Sequence, residues 1–154
     1  PVPHSGCSQK SEEEAGVVRE YYQRLIGQTF VDKEGTRRAI TANDILVVSP
    51  YNVQVNHLKS VLPAGSRIGT VDRFQGQEAP VVLVSMATSD SECLPRSIEF
   101  LFSANRLNVA LSRAQCLSVV FACPKLLGTP CKSIGQLSLV SKFCQLVEFA
   151  AGPQ

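Results

Sequence analysis

The chain has 154 residues, of which 44% are hydrophobic and 18% are charged. This composition argues against disorder and indicates one domain with much of the chain in its interior. The net charge of +2 is too small to indicate nucleic-acid binding by itself, so such binding would depend on a local patch or on backbone amides.

Nothing in the sequence suggests export or membrane insertion. No signal peptide is recognisable, and no apolar stretch reaches the roughly 18 residues that a membrane span requires. We therefore expect a soluble, cytoplasmic protein without a membrane partner. The first residue is Pro1 rather than Met, so we expect a piece of a longer polypeptide.

The cysteines and histidines give no zinc-binding pattern. The six cysteines contain no CxxC, and neither histidine is paired with a cysteine at zinc-ligand spacing. We expect reduced thiols and no metal site, with Cys116, Cys123 and Cys144 packing as small hydrophobic residues. A disulfide or metal framework is the alternative.

The first residues in chain order are polar. Residues 1–10 predict a linker or tail, residues 11–150 the folded domain, and residues 151–154 a second tail. Ser11 and Glu14 have the S-x-x-E spacing of a capping box, which predicts that a helix begins here. A polar segment with a turn follows this helix.

Apolar runs of strand length then alternate with segments of helical periodicity. The predicted strands are 45–48, 67–70, 80–87 and 117–122. The predicted helices are 51–62, 106–114, a short helix from Pro124, and 136–150. This alternation predicts an α/β fold of three layers with a mainly parallel sheet. Ligands of such folds bind beyond the carboxyl ends of the strands.

Two segments carry the polar groups of interest. The loop GTVDRFQGQE offers the Thr70 hydroxyl, the small residue Gly76 and the Glu78 carboxylate, although a polar turn capped by Asp72 explains it equally simply. The helix NRLNVALSR carries two arginines seven residues apart, on one side, and a guanidinium suits a phosphate. Surface arginines that only solvate the helix are the alternative.

Together, GTVDRFQGQE, VVLVSM and NRLNVALSRA resemble motifs V and VI of superfamily 1 helicases, with most similarity to the 1B branch. The segment VVSPYNVQ resembles motif IV of that branch. The resemblance covers roughly residues 8–150 and implies the second of two RecA-like (P-loop NTPase-type) domains, which clamp ATP between them and grip one nucleic-acid strand. No GxGxxG follows a strand, which argues against a Rossmann oxidoreductase.

The resemblance also implies roles for the residues that bind the nucleotide. Arg113 matches the arginine finger of motif VI, which reaches the γ-phosphate of ATP. Glu78 matches the acid that contacts the ribose, and Gly76 permits the close approach. Gln54 and Tyr51 match motif IV positions near the nucleotide.

Further roles follow from the same motifs. Thr70 and Ser49 match positions that contact phosphates of the nucleic acid. Arg106 fits either the nucleotide cleft or an ion pair with motif V, with equal weight. Val55 stands where several members have a second arginine, so the finger role is expected to rest on Arg113. Four basic residues form either a basic rim or merely scattered surface charge: Lys59, Arg67, Arg73 and Arg96.

The sequence contains no GxxxxGK[ST] and no Asp-Glu pair at a strand end. We therefore expect ATP and Mg²⁺ to bind mainly through the first RecA-like domain of the same polypeptide, so whether the isolated chain is an enzyme is left open. The expected parent is an ATP-dependent helicase or translocase that moves 5′ to 3′ on single-stranded nucleic acid, with DNA favoured. Residues 11–52 and the FLFSANRLNVALSRA segment look most like bacterial proteins with an added RecB-like nuclease. The alternative is a degenerate helicase-like domain that only binds nucleic acid or protein.

Overall fold

Four parallel strands form the centre of the computed structural model, which describes residues 1–89 and 97–152. The strands of the described residues are β1 (Thr29–Val31), β2 (Arg37–Ala39), β3 (Ile45–Val48), β4 (Arg67–Gly69), β5 (Ala79–Ser85) and β6 (Ala114–Phe121). The α-helices are α1 (Glu12–Leu25), α2 (Asn52–Val61), α3 (Ile98–Leu101), α4 (Ala104–Leu111) and α5 (Ile134–Ala151). Cys93 and Arg96 lie outside the described residues.

The central sheet has the strand order β4-β3-β5-β6, and all three pairings are parallel. The strands are packed on both faces, because side chains alternate between two apolar clusters. Ile45 and Val47 of β3 join the cluster under α1 and α2, whereas Leu46 and Val48 join the cluster under α3, α4 and α5. The predicted three-layer α/β fold with a parallel sheet is confirmed, and it is consistent with a RecA-like domain.

Three segments differ from the expected secondary structure, and one of them is the unpredicted short helix α3. The polar segment after α1 forms an antiparallel hairpin of β1 and β2, in which Phe30 supplies the buried side chain. Strand β6 begins at Ala114, three residues earlier than predicted, because it continues the ladder beside β5. It pairs with β5 alone among the described strands, so residues such as Cys116 and Leu117 are exposed.

Residues 1–10 also differ from the expected tail, because they pack against the sheet. Val2 is buried, and its N–H donates to the carbonyl of Ala122 at 2.9 Å. Three hydrogen bonds join Cys7 and Ser89: the Cys7 carbonyl accepts from Ser89 N–H at 2.9 Å and from Ser89 Oγ at 3.1 Å, and Cys7 N–H donates to Ser89 Oγ at 2.8 Å. The first ten residues therefore pack beside the carboxyl end of β5.

The predicted capping box is only half formed. Ser11 Oγ accepts from the N–H of Glu14 at 3.0 Å, as expected for an N-cap. The Glu14 carboxylate turns inward instead of back to Ser11, and it accepts from Ser85 Oγ at 2.6 Å and from Ala87 N–H at 2.8 Å. These hydrogen bonds link helix α1 to the end of β5 through the buried Glu14 side chain. None of the helices in residues 1–89 and 97–152 is long and apolar enough to cross a membrane.

Candidate functional site

The residues singled out by the sequence lie at two opposite edges of the parallel sheet. Ser49, Tyr51 and Thr70 follow the carboxyl ends of β3 and β4, whereas Gly76 and Glu78 directly precede the amino end of β5. Helix α4 runs antiparallel to the strands, because it connects the carboxyl end of β5 to the amino end of β6. Its two arginines therefore lie near different edges: Arg106 is in the first turn, and Arg113 follows the last.

At the amino edge, the loop before β5 meets the end of α4. The N–H of Ala79 donates to the carbonyl of Arg113 at 3.0 Å, and Gln115 Nε2 donates to Glu78 Oε2 at 3.4 Å. Gly76 adopts a φ of +78°, a left-handed conformation that side chains rarely tolerate, so the turn into Glu78 requires glycine. The backbone thus holds Gly76, Glu78 and Arg113 close together.

Arg113 lies just outside the helix in which it was expected, since α4 ends at Leu111 and Ser112 is its C-cap. Its Nε atom is buried and has no hydrogen-bond partner within residues 1–89 and 97–152. An unsatisfied buried donor is unfavourable, and an anion would satisfy it. This edge therefore offers the Arg113 guanidinium as a donor for an anion and the Glu78 carboxylate as an acceptor for hydroxyls.

At the carboxyl edge, a cavity of about 220 Å³ opens between the strand ends and α4. Three of the residues chosen from sequence line it, namely Tyr51, Thr70 and Arg106. The other polar groups in its wall belong to Gln9, Asn52 and Asp72. The cavity combines aromatic, hydroxyl and cationic groups, which suits a segment of nucleic acid.

Arg106 forms an ion pair with motif V, one of the two alternatives that the sequence left open, and its place in the nucleotide cleft stays a prediction. Its Nη2 lies 3.9 Å from Asp72 Oδ2 of motif V, and its guanidinium lies 4.3 Å above the centre of the Phe100 ring. The same side chain lines the cavity. Phe100 was not singled out from the sequence, although its position in the FLFSANRLN segment, shortly before α4, is the signal that could have identified it.

Two motif IV residues occupy interior positions that differ from expectation. Ser49 is fully buried, and its hydroxyl accepts from the Tyr51 N–H at 3.5 Å. Gln54 is also fully buried, and its amide pairs with the Ser11 backbone, accepting from N–H at 3.0 Å and donating to the carbonyl at 3.1 Å. Gln54 therefore braces the start of α1 and does not line the cavity, because that backbone satisfies its polar atoms.

The remaining predicted positions are resolved more simply. Val55 is buried in the cluster under α1 and α2, so it faces the core. Lys59, Arg67 and Arg73 surround an open depression beside β4. Arg67 is already committed, because it donates to the Asn43 carbonyl and to Gln77 Oε1, both at 2.7 Å.

The described cysteines are free, and they differ in burial. Cys123 is buried as expected, but Cys116 is exposed on β6, and Cys131 and Cys144 are half-buried. Cys7 is half-buried near Glu13, and burial, with the Glu13 charge as a second cause, raises the pKa of its thiol. A raised pKa keeps this thiol protonated at neutral pH, which argues against a role as a nucleophile.

The chain matches a family model and is similar to known proteins. Residues 4–125 match the family described as AAA domain. The chain is 38% identical over 102 residues to "Probable RNA helicase armi" of Drosophila melanogaster, covering 59% of this chain and 8% of that protein. It is 34% identical over 118 residues to "DNA polymerase alpha-associated DNA helicase A" of Saccharomyces cerevisiae, covering 73% of this chain and 15% of that protein.

A third relative is "Putative helicase MOV-10" of Gallus gallus, which is 33% identical over 125 residues that make up 70% of this chain and 12% of that protein. The matched region thus corresponds to a small part of each of these three relatives. The helicase motifs and the parallel sheet lie within residues 4–125, which match the family. The chain therefore belongs to the AAA domain family and is a helicase domain of superfamily 1.

Proposed function

We propose that this chain is the second RecA-like motor domain of an ATP-dependent helicase or translocase. In this proposal Arg113 is the arginine finger, and Glu78 and Gly76 complete the nucleotide side of the cleft. The ATP phosphates and Mg²⁺ are held mainly by the first RecA-like domain, which would contain the GxxxxGK[ST] loop. The isolated chain then has half a cleft, and ATP turnover requires both domains.

The buried, partnerless Nε of Arg113 is the observation that carries the proposal. The Arg113 carbonyl accepts a hydrogen bond from the N–H of Ala79, the residue after Glu78. Arg113 and Glu78 therefore lie at the same edge of the sheet. In phosphoryl transfer, a positioned guanidinium neutralises charge that develops on the transferred group. Bound ATP supplies the γ-phosphate for this chemistry, and Glu78 orients the nucleotide by accepting from its ribose hydroxyls.

The cavity at the opposite edge is proposed to hold the single strand. Thr70 is placed to donate its hydroxyl to a phosphate, and Arg106 adds a cation beside the Phe100 ring. Ser49 is buried, so we propose that its part is indirect, through the backbone turn that carries Tyr51. The N–H and hydroxyl contacts of such a site are independent of base sequence.

The strand is proposed to be DNA, followed 5′ to 3′, as the resemblance to the 1B branch implies. Two of the relatives are named as an RNA helicase and a DNA helicase, so RNA is the alternative substrate. Stimulation of ATP hydrolysis by oligo-dT and oligo-U distinguishes the two. An upstream nuclease is a further part of the proposal, and Mg²⁺-dependent DNA degradation by the parent protein tests it separately.

The test of the proposed function is ATP hydrolysis by the full-length parent protein with single-stranded DNA. Arg113→Ala is expected to lower kcat about a thousandfold, the scale of an arginine finger, with little change in nucleotide affinity. Arg24→Ala is the matched control, because Arg24 is an exposed arginine on α1 that pairs only with Glu20 in the described residues. The control is expected to keep full activity.

Full activity of the Arg113→Ala protein would remove Arg113 from the mechanism. An inactive wild-type parent that still binds single strands would instead support the second candidate, a degenerate helicase-like domain that acts as a binding module. The retention of Arg113, Glu78 and Gly76 in one place favours the motor, because a binding module does not need all three.

A further inference from the structure

Three possible metal ligands meet beside the start of α1, and none of them lines the cavity at the carboxyl edge. One ligand atom each from His4, Cys7 and Glu13 lies within 4.8 Å of the other two. His4 and Cys7 are separated by two residues in the N-terminal segment, and Glu13 is in the first turn of α1. The expectation that no histidine and cysteine share a ligand spacing overlooked this pair.

The imidazole of His4 is arranged like that of a metal ligand. Its side chain is fully buried, and Nε2 lies 3.0 Å from Glu14 Oε1. The other ring nitrogen, Nδ1, is buried and has no hydrogen-bond partner among the described residues. A carboxylate behind one nitrogen fixes the tautomer and leaves the lone pair of the other nitrogen available, as it does in zinc sites.

The sulfur and the second carboxylate complete the donor set. Cys7 Sγ lies 4.0 Å from Glu13 Oε2, and the same oxygen accepts from Ser11 Oγ at 3.0 Å. Zinc bonds of about 2.0–2.3 Å in tetrahedral geometry place donor atoms roughly 3.5 Å apart. Glu13 is exposed and Cys7 is half-buried, so small side-chain rotations bring both to that separation and leave a path for the ion.

We propose that His4 Nδ1, Cys7 Sγ and the Glu13 carboxylate bind one Zn²⁺ ion, with water as the fourth ligand. The mixed nitrogen, sulfur and oxygen donors suit zinc better than magnesium or calcium, which require oxygen ligands. The thiol releases its proton to solvent on binding, and the thiolate and carboxylate then balance the charge of the ion.

The ion fastens the N-terminal segment to the body of the domain. Cys7 already exchanges hydrogen bonds with Ser89, four residues after β5, and Glu13 belongs to α1. Coordination bonds from Cys7 and Glu13 to the same ion therefore link the N-terminal segment to α1. The role is structural and separate from the helicase motor, so neither conclusion depends on the other.

Titration of the 154-residue chain with Co²⁺ alone, followed by displacement with Zn²⁺, tests the site. The wild type is expected to bind one Co²⁺ with a thiolate-to-cobalt charge-transfer absorption that Zn²⁺ removes. Cys7→Ser is expected to abolish this absorption and to weaken Zn²⁺ binding about 100-fold or more. Cys116→Ser, which removes an exposed thiol elsewhere, is the matched control and is expected to behave as the wild type.

Glu13→Gln provides a second variant that leaves every buried side chain in place. It is expected to keep the charge-transfer absorption and to weaken Zn²⁺ binding at least about tenfold, whereas Glu12→Gln has no effect. Absence of the absorption in the wild type would overturn the proposal. So would its persistence in Cys7→Ser, its loss in Cys116→Ser, or unchanged Zn²⁺ affinity in Glu13→Gln.

Discussion

The Glu14 carboxylate is predicted to be a principal source of stability, and Glu14→Ala tests this. The side chain is fully buried and serves three buried groups: Ser85 Oγ at 2.6 Å, Ala87 N–H at 2.8 Å and His4 Nε2 at 3.0 Å. Each group left without its partner costs about 1–3 kcal/mol. Because contributions within one network are not additive, we expect a total loss of about 3–5 kcal/mol.

A loss of that size is a large part of the roughly 5–15 kcal/mol that stabilises a domain. Urea unfolding followed by circular dichroism measures it as a lower midpoint at unchanged slope. Glu12→Ala, on the same helix, is the control, because Glu12 is exposed and pairs only with Lys10 at the surface among the described residues; no change in midpoint is expected. Glu14→Gln should lose less, since one oxygen remains for Ser85 and Ala87. A loss below about 1 kcal/mol in Glu14→Ala would refute the reasoning.

Two further predictions concern pH and backbone conformation. The Arg38 guanidinium, which donates twice to Asp44 at 2.7 Å, holds the Asp44 pKa well below its usual range. The ion pair therefore stabilises the fold above about pH 4, and this stabilisation is lost as pH falls toward the native pKa of Asp44. Asp44→Asn should lower the unfolding midpoint at pH 7, and its difference from the wild type should shrink in acid. A pH series of urea titrations checks this. Gly76→Ala should cost about 1–2 kcal/mol, because φ is +78°, whereas Gly16→Ala in α1 should gain up to about 1 kcal/mol; equal effects in thermal unfolding would contradict this account.

The sequence predicted those features that depend on local pattern. Strand β3 is a run of four apolar residues, and such a run indicates a strand buried on both faces before any contact is known. The order of motifs IV, V and VI then indicated the helicase family. The exposure of β6 was missed, because an apolar strand at the edge of a sheet has the same composition as one at its centre.

Site residues were harder to predict, because resemblance does not show which way a side chain points. Gln54 follows Tyr51 by less than one helical turn, yet it points inward to the Ser11 backbone and Tyr51 lines the cavity. Glu14 matched a capping box by spacing, but its carboxylate found stronger partners in Ser85 and Ala87. In both cases a residue distant in sequence supplied the competing hydrogen bond.

The positions of the two candidate sites indicate how nucleotide binding and strand binding are coupled in the proposed motor. The 70–78 segment joins them in sequence, since Thr70 lies at the cavity and Glu78 lies at the amino edge, where the nucleotide is proposed to bind. Helix α4 and the two residues after it join them a second time, from Arg106 to Arg113, and the Arg106–Asp72 pair links the two connections near the cavity. An anion that draws Arg113 toward it pulls on the end of a helix whose other end contacts the proposed strand. We predict that Asp72→Asn weakens the coupling between nucleotide binding and strand binding but leaves both ligands bound. The substitution removes the charge that pairs with Arg106, and Asp72 is not a proposed ligand of either site.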